Sequence, residues 1–236
     1  MEALMGENGE FILQMKDIDM FFPGVKALKK AKFNLKKGEI HSLMGENGAG
    51  KSTLVKVLTG VYHKTAGQVF YDGKQIEPES PLQSQKIGIS TVYQEVNLCG
   101  NLTVAENIYI GREPRGSFGQ IDWHKMNSQA KELLQRELGL DLEVDKTLSF
   151  YPVAIQQMIA IARAIDTQCK ILILDEPTSS LSDRETERLF AIMRKLKAQG
   201  ISIIFISHFL EQIYTICDRI TILRDGEYVG EYDIPH

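Results

Sequence analysis

Residues 45–52 read Gly45-Glu46-Asn47-Gly48-Ala49-Gly50-Lys51-Ser52. They follow an apolar run, Ile40-His41-Ser42-Leu43-Met44, and open a helix-forming segment, Thr53-Leu54-Val55-Lys56-Val57-Leu58. This is the setting a phosphate-binding loop requires. A strand delivers the chain, glycines let successive backbone N–H groups turn toward one centre, and a helix begins there with its positive dipole end facing the anion. Gly45, Glu46, Asn47, Gly48, Ala49, Gly50, Lys51, Ser52 and Thr53 are therefore read as the phosphate site. Within it Lys51 is placed to reach the β- and γ-phosphates, and the Ser52 hydroxyl to ligate Mg²⁺. Met5-Gly6-Glu7-Asn8-Gly9 repeats the letters of residues 44–48 without a following Gly-Lys-Ser or a preceding strand, and is read as a decoy.

Composition sets the frame around this loop. A chain of 236 residues with 43% hydrophobic side chains is long enough for one large domain or two subdomains sharing a core. The formal net charge of −4 offers no general attraction to nucleic acid and does not suggest a DNA or RNA binder. No apolar run approaches the roughly 18 residues that cross a bilayer, and MEALMGENGE lacks a basic region leading into a hydrophobic one. A cytoplasmic location is expected. Cys99, Cys169 and Cys217 are widely spaced, which suits free thiols better than disulfides or a metal site.

Along the chain, β-like pieces at Phe11 to Phe22, Ala31 to Lys36 and Gly67 to Tyr71 predict an antiparallel layer. After the strand-like Ile89-Ser90-Thr91-Val92-Tyr93, the stretch from about Val104 to Ala164 is dominated by helix-forming sequence. There Trp123, Met126, Ala130, Leu133 and Leu134 recur at helical spacing and predict a core-facing stripe. Ile171 to Leu174 and Ile201 to Ile206 are apolar runs suited to a buried parallel sheet. Between them Ser182 and Glu185 read as a capping box, Leu189, Ile192, Met193 and Leu196 as a buried stripe, and Gly200 as a helix stop. A hairpin is expected around Asp225-Gly226. The expected fold class is α/β: a phosphate-loop NTPase with a mixed or parallel core sheet, an antiparallel β layer and a helical subdomain at about 95–165. Residues 1–10 are read as a tail and 11–236 as one nucleotide-binding domain.

The strand Ile171-Leu172-Ile173-Leu174 ends in two carboxylates whose position beside the loop assigns two tasks. Asp175 holds Mg²⁺, directly or through its water, and Glu176 polarises the water that attacks the γ-phosphorus. Taken with these residues, the order of segments resembles a nucleotide-binding domain of the ATP-binding cassette superfamily, which implies ATP and Mg²⁺ as ligands. The resemblance makes Gln94, in Val92-Tyr93-Gln94-Glu95, the glutamine that approaches Mg²⁺ and links the nucleotide to the helical subdomain. It makes His208, in Ile206-Ser207-His208-Phe209, the switch histidine at the γ-phosphate. Ser179-Ser180-Leu181-Ser182 matches the loop that crosses to a partner domain, with Ser182 in the usual aspartate place. Phe22 falls where the family keeps the aromatic that stacks on adenine, with Val25 and Ala27 as neighbours and Phe21 expected to face the core.

One departure is informative. The family's signature, usually LSGGQ, sets a serine hydroxyl and glycine N–H groups against the γ-phosphate held by a partner domain. Here the matching residues are Tyr151-Pro152-Val153-Ala154-Ile155. Pro152 has neither hydroxyl nor N–H, and Ala154 adds a Cβ where backbone should approach phosphate. Phe22-Pro23-Gly24-Val25-Lys26-Ala27-Leu28, Tyr93-Gln94-Glu95-Val96-Asn97-Leu98 and Gly111-Arg112-Glu113 are similar to the monosaccharide-importer branch, of ribose or galactofuranose type. That likeness implies a first cassette fused to a second one, membrane permease subunits met through about Glu95 to Arg115, an indirect sugar-binding protein partner, no nucleic-acid partner, and a position on the inner face of the cell membrane. It also implies weak ATPase activity of the isolated domain. The alternatives are a soluble cassette ATPase acting on nucleic acid or ribosomes, which the net charge disfavours, and a nucleotide-responsive module with little hydrolysis, which Pro152 and Ala154 favour.

Overall fold

The computed structural model describes residues 10–94 and 97–235. The Met5–Gly9 decoy and the Glu95-Val96 pair of the importer-like motif lie outside the described residues. The elements run β1 (Phe11–Phe22), β2 (Val25–Lys36), β3 (Ile40–Met44), α1 (Lys51–Leu58), β4 (Ala66–Tyr71), β5 (Lys74–Ile76), α2 (Pro81–Lys86) and β6 (Ile89–Val92). They continue through α3 (Val104–Tyr109), α4 (Trp123–Leu133) with a π turn at Leu134–Leu138, a 3₁₀ turn at Leu148–Phe150, and α5 (Val153–Asp166). The chain closes with β7 (Ile171–Asp175), α6 (Asp183–Ala198), β8 (Ser202–Ile206), α7 (Leu210–Ile216), β9 (Arg219–Arg224) and β10 (Glu227–Asp233). Two compact units result: residues up to 91 with 169–176 and 193 onward, and residues 92–168 with 177–192.

The first unit carries two sheets. One is antiparallel, in the order β2-β1-β4-β5. The other runs β10-β9-β3-β8-β7-β6, with β3 parallel to both β8 and β9, β7 parallel to β8, and β10 folded back antiparallel on β9. The unbroken apolar runs explain the second arrangement, because Ile171–Leu174 and Ile203–Ile206 are buried throughout, as strands covered on both faces must be. Parallel pairing brings the carboxyl ends of β3, β7 and β8 to one sheet edge, so the loop after Met44, the acids after Leu174 and the residues after Ile206 emerge together. Leu13, Met15, Ile18, Leu28, Phe33 and Leu35 from the antiparallel sheet share a core with Leu43, Leu54, Leu58, Ile171 and Ile204.

The second unit is largely helical. Met126, Ala130, Leu133 and Leu134 are buried as the spacing predicts, but Trp123 is 52% exposed. It occupies the first helical position after Asp122, whose carboxylate accepts the Lys125 N–H at 2.9 Å, and so stands beyond the end of the stripe. A capping box missed in the sequence starts α3: Thr103 Oγ1 accepts the Glu106 N–H, and Glu106 returns a carboxylate to the Thr103 N–H. Helix α6, whose residues are divided between the units, buries Leu189, Ile192, Met193 and Leu196. At its start the Glu185 carboxylate takes both the N–H and the hydroxyl of Ser182, and Gly200 follows it at φ +87°.

Candidate nucleotide-binding site

The loop between β3 and α1 owes its path to glycine at two kinds of position. At Gly45 a Cβ would lie 2.4 Å from the Leu223 carbonyl oxygen, so only hydrogen fits. At Gly50 the backbone takes φ 101° and caps α1 in a left-handed conformation with no side-chain cap. The first-turn N–H groups of Lys51, Ser52 and Thr53 have no acceptor within the helix and remain available to an anion. Inside the turn the Ala49 N–H bonds to the Glu46 carbonyl at 3.0 Å. Lys51 is buried and donates to the carbonyls of Gly45 at 2.7 Å and Glu46 at 3.1 Å, which holds its ammonium across the loop. Glu46, Asn47, Gly48 and Ser52 form the exposed rim.

A distant segment braces this loop. The Gly226 N–H donates to Ala49 O at 3.1 Å, and the Lys29 N–H to Gly226 O at 2.8 Å. The hairpin turn between β9 and β10 is thereby bonded to the loop's inner wall. Nothing local in residues 45–53 announces this contact.

At the end of β7, Asp175 is half-buried, and burial, then the neighbouring Glu176 charge, raises its carboxyl above the usual range; the Lys51 and Lys56 ammonium groups oppose that shift. Glu176 sits at φ 46°, a left-handed backbone rare for residues other than glycine, and its N–H bonds to the Ile206 carbonyl of β8 at 3.0 Å. Such a conformation costs on the order of 1–3 kcal/mol and persists only where surrounding structure enforces it. Here it turns Glu176 off the strand line toward His208, whose Nδ1 lies 3.6 Å from Glu176 Oε1, an ion-pair separation longer than a hydrogen bond. The His208 ring is half-exposed and stacks on Phe209 with centroids 4.1 Å apart.

The two phenylalanines of the β1–β2 turn differ from expectation in one respect. Phe22 is half-buried and meets Tyr62 edge-to-face, with ring centroids 5.1 Å apart at 77°. Phe21, expected to face the core, is 48% exposed with Lys26 Nζ 4.7 Å from its ring centroid. Register shifts on both sides of Met20 break the strict alternation of β1, so two adjacent positions no longer divide cleanly into core and surface. Val25 pairs with Phe22 across the turn and is exposed.

The loop residues 45–53, Phe22, Val25, Asp175, Glu176 and His208 all belong to the first unit. Gln94 belongs to the second and is exposed. So do the altered signature and Ser179–Ser182. Pro152 precedes α5 without a side-chain cap, Ala154 is buried in its first turn, and the exposed Phe150 and Val153 flank Pro152.

A phosphate loop, an acidic strand end and a strand-end histidine gathered on one edge of a mostly parallel sheet define a nucleotide-binding cassette. The chain belongs to the ABC transporter family, whose model matches residues 28–179. It is 51% identical over 219 residues to the galactofuranose transporter ATP-binding protein YtfR of Escherichia coli (strain K12), covering 93% of this chain and 43% of that protein. Over 221 residues it is 53% identical to the fructose import ATP-binding protein FruK of Bifidobacterium longum (strain NCC 2705), with the same coverage. The chain therefore spans less than half the length of these curated relatives. Among solved structures, the ADP conformation of MJ1267, an ATP-binding cassette of an ABC transporter, superposes with a TM-score of 0.83 at 26% identity, covering 94% of this chain and 91% of that one. The dimeric MJ0796 cassette bound to ADP and Pi gives 0.79 at 26%, covering 95% and 99%. The expected fold class and family are thus borne out. No helix among the described residues is long and apolar enough to cross a membrane.

Proposed function

We propose that this chain is the first cassette of a two-cassette ATP-binding subunit of a monosaccharide importer. The carrying observation is the convergence, within one unit, of the Lys51 loop, the Asp175–Glu176 strand end and His208 3.6 Å from Glu176. In this reading Phe22 stacks on adenine beside Val25, and the first-turn N–H groups with Lys51 hold the triphosphate. Ser52 and Asp175 supply oxygen donors suited to a hard cation, the family resemblance adds Gln94, and the crowding of Asp175 against Glu176 is charge that a cation would offset. A Mg²⁺ held by these residues would supply positive charge that offsets the negative charge of the triphosphate. Glu176 orients and deprotonates the attacking water, and His208 senses the γ-phosphate.

The second unit acts as the helical subdomain, with Gln94 as its link to the nucleotide and the segment up to Arg115 as the face toward membrane permease subunits. A sugar-binding protein acts on those subunits from the other side, which puts this cassette on the cytoplasmic face of the membrane. Because Pro152 and Ala154 replace signature groups that donate to a partner's γ-phosphate, the site holding this chain's own loop hydrolyses ATP against the companion's signature. The site that borrows this chain's signature does not. ATP turnover measured over rising concentrations of the isolated chain is expected to stay low and to rise in a sugar-stimulated manner once the companion cassette and permease are added. Vigorous second-order turnover of the isolated chain, abolished by Glu176→Gln, refutes the asymmetry. Stimulation by RNA or DNA instead refutes the transport reading.

A further inference from the structure

The adenine platform is not self-supporting. Phe22 ends β1 at a two-residue turn, and its ring is only half-buried. The aromatic ring against it, Tyr62, comes from the segment that leaves α1, the helix whose first turn faces the phosphates. That segment is fixed to α1 by two backbone bonds: the N–H groups of Val61 and Tyr62 both donate to the Lys56 carbonyl, at 2.9 and 3.0 Å. It is also stitched to β1, since the Thr65 N–H donates to Asp19 O at 2.8 Å and Thr65 Oγ1 accepts the Phe21 N–H at 3.2 Å. The Tyr62 ring packs on the core cluster, and Lys56 Nζ lies 5.4 Å from its centroid, a cation–π distance.

We infer that Tyr62 is a positioning residue for base recognition: its ring, carried on the far end of the phosphate helix, sets the orientation of Phe22 and ties the adenine platform to the triphosphate site. The inference rests on Phe22 being that platform. An edge-to-face pair strongly prefers its own geometry, and this one is held by hydrogen bonds on both sides. Losing the Tyr62 ring frees Phe22 to rotate, so that part of the binding energy is lost to reordering it when a base docks. The triphosphate contacts, made by residues 45–53, do not pass through this ring.

The test compares two ligands, ATP and inorganic tripolyphosphate, each with magnesium, by titration calorimetry on the full chain. Tyr62→Leu is expected to weaken ATP by about 2- to 10-fold and to leave tripolyphosphate unchanged, while Tyr62→Phe, which keeps the ring, binds both as the parent does. Equal weakening of both ligands by Tyr62→Leu overturns the inference, because it marks a general disturbance of α1. ATP affinity unchanged in Tyr62→Leu but reduced in Phe22→Leu also overturns it while sparing the platform. ATP affinity unchanged in Phe22→Leu overturns the adenine reading itself, and the inference with it.

Discussion

Three alanine substitutions in the phosphate loop separate two physical costs that glycine avoids. Gly45→Ala meets steric cost, with its Cβ 2.4 Å from Leu223 O and 2.8 Å from Ala49 Cβ. An ordinary carbon–oxygen contact is about 3.3 Å, so the Leu223 carbonyl would have to retreat by about 0.9 Å. It cannot do so freely, because β9 is paired to β3 on one side and to β10 on the other. Overpacking against such a fixed partner costs about 1–3 kcal/mol, and two rigid contacts put this case near the upper end. Gly48→Ala meets only conformational cost: φ is +84° and nothing lies within 4 Å, giving about 1–2 kcal/mol. Gly50→Ala combines φ +101° with contacts of 2.8 Å to Leu28 Cδ2, a side-chain methyl rather than backbone, and 3.0 Å to Ala27 O. Urea unfolding followed by circular dichroism should place the midpoint of Gly45→Ala lowest or level with Gly50→Ala, about 1.5 M below the parent for a slope of about 2 kcal/mol per M. Gly48→Ala should fall about half as far. ATP affinity should drop most for Gly45→Ala, whose loop must shift. A Gly45→Ala variant as stable as Gly48→Ala, with parental ATP affinity, would refute the steric reasoning.

Three further outcomes follow from other parts of the molecule. His41 is fully buried between Glu39 Oε1 at 3.2 Å and Thr221 Oγ1 at 2.8 Å, and burial holds its pKa below 6.5 despite the neighbouring carboxylate. The unfolded imidazole takes up a proton that the folded one resists, so stability is full above about pH 6.5 and declines as pH falls below it; equal urea midpoints at about pH 7.5 and about pH 5.5 would contradict this. Restoring donors with the double substitution Pro152→Ser and Ala154→Gly should raise second-order ATP turnover of the isolated chain on the order of 10-fold or more, and no change would remove the signature from the explanation of asymmetry. Of the three cysteines, Cys99 is exposed, whereas burial pushes the Cys169 thiol up to about 12 and raises that of Cys217 as well. Thiol titration with a disulfide reagent should find one fast-reacting group in the native protein and three in urea, and fast reaction at Cys169 or Cys217 would contradict their burial.

The parts of the fold legible in the sequence were those governed by near neighbours. Residues 45–53 declare a phosphate loop because glycine, lysine and hydroxyl must stand at fixed offsets, and β7 and β8 are unbroken apolar runs because both faces of each strand are covered. Stripes in α4 and α6 followed their spacing except at Trp123, which starts its helix and so lies outside the stripe. Alternation failed at Phe21 because β1 contains irregularities that change which face successive residues take. The left-handed backbone of Glu176 carries no local signal either, since it is enforced from β8 through Ile206. The same holds for Gly226 and Leu223, which complete the loop's wall from more than a hundred residues away.

That last contact bears on the order in which competence arrives during synthesis. The ribosome emits the Lys51 motif early, yet its wall is furnished by the turn at Gly226, after β7, β8 and β9 have all been made. A nascent chain halted before that turn carries every residue of the motif with its inner surface unsupported. Nucleotide capture therefore waits for that turn, and ribosome-bound fragments of increasing length should acquire it abruptly once the β9–β10 hairpin clears the exit tunnel.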